Sequence, residues 1–337
     1  MFLALSMLTL PFCFADSFHS CWIIILLSVS REIRRERRHL QRYRSRAKRS
    51  FDAMQFDVDN YHTYDEVAFN IMVEFMQLLS KQHPDLVTLL NVSRTFEGRP
   101  MYGVKVRVCS KKTCLISSSN RYKPAIFVDA GVHAREWAAP AAALWMIKKV
   151  LVSAYGKDPV ITRSVDKFDW YIIPEANPDG YEYSRVSDRL WRKTRSRNIT
   201  VNKWCVGADA NRNWGHRWGE AGANRSPCSN IYAGSRPFSE PEIVGNGMRQ
   251  KLLSMLCETR REQSTSMERL PNPASGTSID YMQDRGVPYI FGVELRPLDS
   301  HDTYGFSLPP QLIKPTGERT TRYLLLCLSC SDSHGGS

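Results

Sequence analysis

The run Val128-Asp-Ala-Gly-Val-His-Ala-Arg-Glu-Trp-Ala138 constrains this chain more than any other stretch. It continues the apolar tail of Tyr122-Lys-Pro-Ala-Ile-Phe127, and the two together make a buried-strand run that closes at Gly131. An alanine-rich helix is predicted just beyond, from Ala138 to about Val152. His133 and Glu136 therefore leave the C-terminal end of a strand, three positions apart, at the start of a helical turn. Open α/β sheets carry their reactive groups at that edge. An imidazole nitrogen and a carboxylate at this spacing can reach one zinc ion. The pair is common by chance, so its meaning rests on the rest of the chain.

Strand and helix patterns alternate along the sequence. Apolar residues recur at helical spacing between Tyr64 and Gln82, Val104 to Val108 alternates as a strand, and Asp169 to Ile173 reads as another before a turn at Asn177-Pro-Asp-Gly180. This order predicts an α/β fold: a mixed, mostly parallel central sheet with helices on both faces. A chain of 337 residues has room for one such domain with short extras.

The formal charge of +12 suggests nucleic-acid binding until it is located. Residues 31–50 hold +8 of it and residues 1–30 hold −1, which leaves +5 for 51–337. The body carries no basic stripe interleaved with aromatics, so no nucleic-acid partner is expected. Residues 1–15 read as a signal peptide, with small residues placed for a cut before Asp16. The alternative, a membrane anchor over 1–29, is broken by Asp16, Ser17 and His19; no stable span is expected. Residues 16–49 read as a short basic pro-segment ending at a dibasic site, where a processing protease would cut after Arg49. Nine cysteines and three Asn-x-Ser/Thr sequons, at Asn91, Asn198 and Asn224, fit a secreted, extracellular protein. Cys205 and Cys228 bracket a segment that a bridge between them would fix; Cys109 and Cys114 could close a small hairpin.

Eight short motifs then occur in order: His133-Ala-Arg-Glu-Trp137, Asn177-Pro-Asp-Gly-Tyr181, Arg189-Leu-Trp-Arg-Lys-Thr-Arg195, Asp209-Ala-Asn-Arg-Asn-Trp214, Ser239-Glu-Pro-Glu242, Ala274-Ser-Gly-Thr-Ser-Ile-Asp280, Glu294-Leu-Arg296 and Tyr304-Gly-Phe306. Together they resemble the zinc metallocarboxypeptidases of the pancreatic A/B type, from about Asp59 to about Glu318. The resemblance implies a Zn2+ cofactor with His133 and Glu136 as two of three protein ligands, leaving a position for water. It implies Glu294 as general base and Arg192 as the cation that stabilises the developing oxyanion. Asn211 and Arg212 would clamp the carboxylate of a peptide or protein C-terminus, and Arg135 would extend the subsite. Ile279 stands where the family reads the terminal side chain, and an aliphatic group there favours apolar or aromatic residues. The implied protein is a monomeric, secreted zymogen that removes single C-terminal residues.

The chain departs from the family at one place. The third ligand comes from a strand carrying His-Ser-Tyr between the Ser-Glu-Pro-Glu and Ala-Ser-Gly motifs, and no His occurs here from Arg217 to Glu294. Only 31 residues separate Glu242 from Ala274, too few for the missing strand and its crossovers at about 30 residues per βαβ unit. The carboxypeptidase domain, 50–337, thus reads as carrying a deletion between about 243 and 273 that removes one ligand-bearing strand. His216 and His301 are the available substitutes. The alternative function that follows is a relative that binds peptide C-termini without cleaving them.

Overall fold

The computed structural model describes residues 34, 38, 56–64, 71–108, 123–247, 274–287, 290–293, 295 and 306–330, the last five of these by backbone only. Six helices and four strands organise them. In chain order these are α1 (Ile71–Gln82), β1 (Val87–Arg94), β2 (Pro100–Val106), β3 (Ala125–Asp129), α2 (Ala138–Trp145), α3 (Pro159–Lys167), β4 (Asp169–Ile173), α4 (Pro178–Val186), α5 (Ser278–Asp284) and α6 (Ile313–Cys330). The strand order is β1-β2-β4-β3. The sheet is mixed, as expected. Among the described strands of this sheet the parallel pairing is confined to β3 with β4, while β1–β2 and β2–β4 run antiparallel.

Residue chemistry explains the elements that carry the site. Phe127, Val128 and Ile126 supply the branched and aromatic side chains that suit a half-buried pleat. Every residue of α2 is buried, and a helix apolar all round belongs inside a core. It passes without a break into a wider π-helical stretch, Met146–Val152, so the predicted helix ends where expected but changes its winding midway. Parallel neighbours need a crossover, and α2, its π continuation and α3 provide it between β3 and β4. Asn177-Pro-Asp-Gly180, expected as a turn, is instead the start of α4. Asn177 caps it by accepting from the Gly180 amide, and Pro178 takes the first helical position, where its missing N–H costs nothing.

The main core lies between the sheet and its helices, around Phe75, Trp137, Trp170 and Tyr181. α6 packs along α2, with Gly317 so close to the Trp145 ring that a side chain there would collide with it. A second cluster, Ala210, Trp214, Ile243, Tyr281 and Met282, sits beside α5. The predicted pairing of Cys109 with Cys114, the leader, the pro-segment apart from residues 34 and 38, and the deletion region of about 243–273 beyond residue 247 lie outside the described residues.

Candidate active site

β3 and β4 end side by side, Asp129 opposite Ile173, and the chain leaves both strands toward the same edge. The Ala130 amide donates to Ile173 O and the Ala176 amide to Ala130 O, so the two exits remain joined past the strands. Gly131 turns the first exit with φ +69°, a conformation that disfavours a side chain. A Cβ there would also fall 2.3–2.6 Å from the Glu175 carboxyl group of the second exit. Asn177 then ties the exits to a third segment: its Nδ2 donates to Val132 O at 3.3 Å and to Lys193 O at 3.1 Å.

This framework fixes His133 and Glu136, exposed by only 2% and 3%. Nδ1 of His133 and Oε1 of Glu136 stand 3.0 Å apart, close to the about 3.4 Å expected of two donors on one tetrahedral zinc. The opposite ring nitrogen, Nε2, meets Oδ1 of Asp209 at 3.1 Å. A carboxylate behind a ligand histidine fixes the tautomer and ring angle that leave the other nitrogen for metal. Asp209 also accepts from Nε and from the terminal amine Nη2 of Arg192 through its other oxygen, at 3.1 and 2.8 Å, and from the Asn211 amide at 2.9 Å. Burial pushes the Asp209 carboxyl up, but Arg192, His133 and Arg212 outweigh it and hold the group well below the usual carboxylate range. Burial and Arg192 push the His133 imidazole down; Glu136 and Asp209 outweigh them and raise it.

The remaining predicted residues surround this hub. The Asn211 side-chain oxygen accepts from the Ser278 amide and hydroxyl, which anchors the start of α5 and so the neighbouring Ile279. Ile279 is packed against the second core cluster. Arg212 is held by Gly222 O and Asn211 O. Arg135 lies over the Phe306 ring at 4.4 Å. Burial lowers both guanidinium pKa values, and the charge of Arg192 lowers them further, which marks three cations sharing one region. Such a region favours an anionic ligand.

Comparison with known proteins decides what this arrangement belongs to. The family profile described as zinc carboxypeptidase matches residues 72–246. Carboxypeptidase A2 of Mus musculus is 36% identical over 310 residues, covering 79% of this chain and 69% of its own. Carboxypeptidase A1 of Bos taurus is 34% identical, again over 79% of this chain and over 68% of its own.

The chain belongs to the zinc carboxypeptidase family.

A solved structure of thrombin activatable fibrinolysis inhibitor matches with a TM-score of 0.68 at 29% identity, over 82% of this chain and 75% of that one. The open mixed sheet and its helices are thus the carboxypeptidase fold. In that fold, His133 and Glu136 have the chemistry to hold an ion: they are buried, adjacent and backed by a carboxylate. Among the described residues no third His, Cys, Asp or Glu joins them in a metal-holding group. His216 does not substitute, since its Nδ1 faces Asp284 at 3.4 Å. Glu294 and His301 lie outside the described residues. The predicted bridge between Cys205 and Cys228 is formed and closes the loop that holds Asn211 and Arg212. The residue that sequence reading missed is Asp209, although it opens the quoted Asp-Ala-Asn-Arg-Asn-Trp motif. An acid beside the expected carboxylate clamp was the available signal; its partner His133 is 76 residues away, and only folding reveals the contact.

Proposed function

We propose that this chain is a secreted zinc metallocarboxypeptidase that releases single, preferably apolar or aromatic, residues from peptide C-termini. The observation that carries the reading is the Asp209 carboxylate, which links His133, Arg192 and the Asn211 amide in one buried cluster. His133 and Glu136 would hold the zinc, whose Lewis acidity polarises a carbonyl and acidifies water when it is bound. Asn211 and Arg212 bind the terminal carboxylate and set the scissile bond. Arg192, fixed by two bonds to Asp209, presents its charge where the oxyanion develops. Glu294 takes the proton of the attacking water and delivers it to the leaving amine. Ile279 offers an aliphatic wall to the terminal side chain. The signal-like leader and the disulfide support the secretory part of this reading.

The shortened interval between Glu242 and Ala274 favours a second reading, in which the same clamp holds C-termini without cleavage. Zinc content of the processed chain, measured beside hydrolysis of a peptide ending in Phe, separates the two. One bound zinc per chain with chelator-sensitive release of Phe supports the peptidase. Binding of that peptide by metal-free chain, with no release on adding zinc, supports the second reading and sinks the first.

A further inference from the structure

The surface segment around Asn198 carries an unusual load of apolar side chains. Ile199 is 76% exposed, Val201 48% and Trp204 81%, all within six residues on the same loop. Clustered exposed apolar side chains on a soluble domain mark a surface that something else covers. Asn198-Ile-Thr200 is one of the three sequons of the chain. Its local geometry is a closed turn. Asn198 Oδ1 accepts from the Thr200 hydroxyl at 2.6 Å, from the Thr200 amide at 3.2 Å and from the Val201 amide at 3.3 Å, while Nδ2 makes no bond among the described residues. Asn198, Ile199 and Thr200 are all exposed. Asn202 then ties the end of the turn to the disulfide, accepting from the Trp204 and Cys205 amides.

We propose that Asn198 is an N-glycosylation site and that its glycan covers the Ile199, Val201 and Trp204 surface. This rests on the secretory reading above, because the transfer takes place in the compartment where the Cys205–Cys228 bridge forms. The donor is an oligosaccharide carried on a polyprenyl diphosphate. Nδ2 of Asn198 forms a bond to the anomeric carbon as the bond from that carbon to the diphosphate breaks. The diphosphate leaves with the bonding pair, and the amide gives up one proton to a base of the transferase. The other sequons are differently placed. Asn91 is paired with Tyr102 in the β1–β2 ladder, and Asn224 is bridged to Tyr232 through its own backbone. Among the described residues neither has a comparable cluster of exposed large apolar side chains within six positions of it.

The full chain, expressed in a secretory eukaryotic host and recovered from both medium and lysate, tests this without depending on efficient export. Peptide-N-glycosidase treatment in heavy-oxygen water converts a glycosylated Asn to labelled Asp, read by peptide mass mapping. Label at position 198 is expected, with loss of one mobility step in Asn198→Gln and, as a second variant, in Thr200→Ala. Both variants should also bind more of an apolar-surface dye than wild type. An unlabelled Asn198 peptide in material labelled at Asn91 or Asn224 overturns the proposal and leaves secretion standing. No label at any sequon, free thiols at Cys205 and Cys228, and no protein in the medium would overturn both.

Discussion

At the scale of single residues, Asp209 shows how one acid serves several partners at once. It is fully buried, and three neighbours supply the donors that make burying its charge affordable. Removing its charge should loosen the His133 ring and free Arg192 together. Asp209→Asn is expected to lower zinc affinity, and kcat/KM for a Phe-terminated peptide, by roughly 10–100-fold. Metal titration with a chelating competitor checks the first and steady-state kinetics the second; unchanged affinity would remove Asp209 from the ligand support. Gly131 makes a second prediction. Gly131→Ala places a methyl against the Glu175 carboxyl group at positive φ and should cost more than about 2 kcal/mol in urea unfolding. Adding Glu175→Ala should restore part of that loss, since the clash term disappears while the strained φ remains. At this scale the motifs made His133, Glu136, Arg192, Asn211 and Arg212 legible. The pairing of His133 with Glu136 was legible from their spacing, but the link from His133 to Arg192 through Asp209 was not, because it joins segments far apart in sequence.

At the scale of elements, the turn between β1 and β2 is held by two buried carboxyl groups. Asp179 accepts from the Thr95 hydroxyl, the Glu97 amide and Arg99, and Glu242 accepts from the Phe96 amide. Burial pushes the Glu242 carboxyl up to about 8, and Oε2 finds no hydrogen-bond partner among the described residues. An acid whose folded pKa exceeds its unfolded value binds more protons when folded. Stability from this group is therefore lost as pH rises from about 4.5 to about 8, by an amount on the order of a few kcal/mol. Glu242→Gln keeps the acceptor for Phe96 and removes the titration. Its melting temperature should fall less than that of wild type between pH 5 and 8. An identical slope in the two proteins would place the titrating group elsewhere; Asp129, which burial pushes up to about 7, is then the next to replace. The helix and strand predictions succeeded where periodicity was strong: Asp169–Ile173 is the observed β4, and α1 falls inside the stretch Tyr64–Gln82. They missed β1, whose Val87-Thr-Leu-Leu-Asn-Val-Ser-Arg94 alternates poorly and is partly exposed along its length. They also missed the π winding after Trp145, for which Met146-Ile-Lys-Lys-Val carries no local signal.

At the scale of the whole molecule, the disulfide and the two cores divide the labour. The main core holds the sheet, whereas Asn211 and Arg212 hang on the smaller cluster and on a loop closed by Cys205 and Cys228, 23 residues apart. Loop closure of that length contributes about 3 kcal/mol. The double variant Cys205→Ser, Cys228→Ser should lose about that much in chemical unfolding, and its affinity for a peptide C-terminus should fall with it. Retained affinity would show that the Ser278 and Gly222 contacts alone position Asn211 and Arg212. One amide then sets how the site behaves as a unit. Asn177 clasps the carbonyls of Val132 and Lys193, the immediate neighbours of His133 and Arg192. The His133 and Arg192 segments are thereby riveted together, beside the direct bond from the Ala134 amide to Arg192 O and the shared Asp209 carboxylate. A pull on the arginine side would reach the imidazole without any helix or strand having to move.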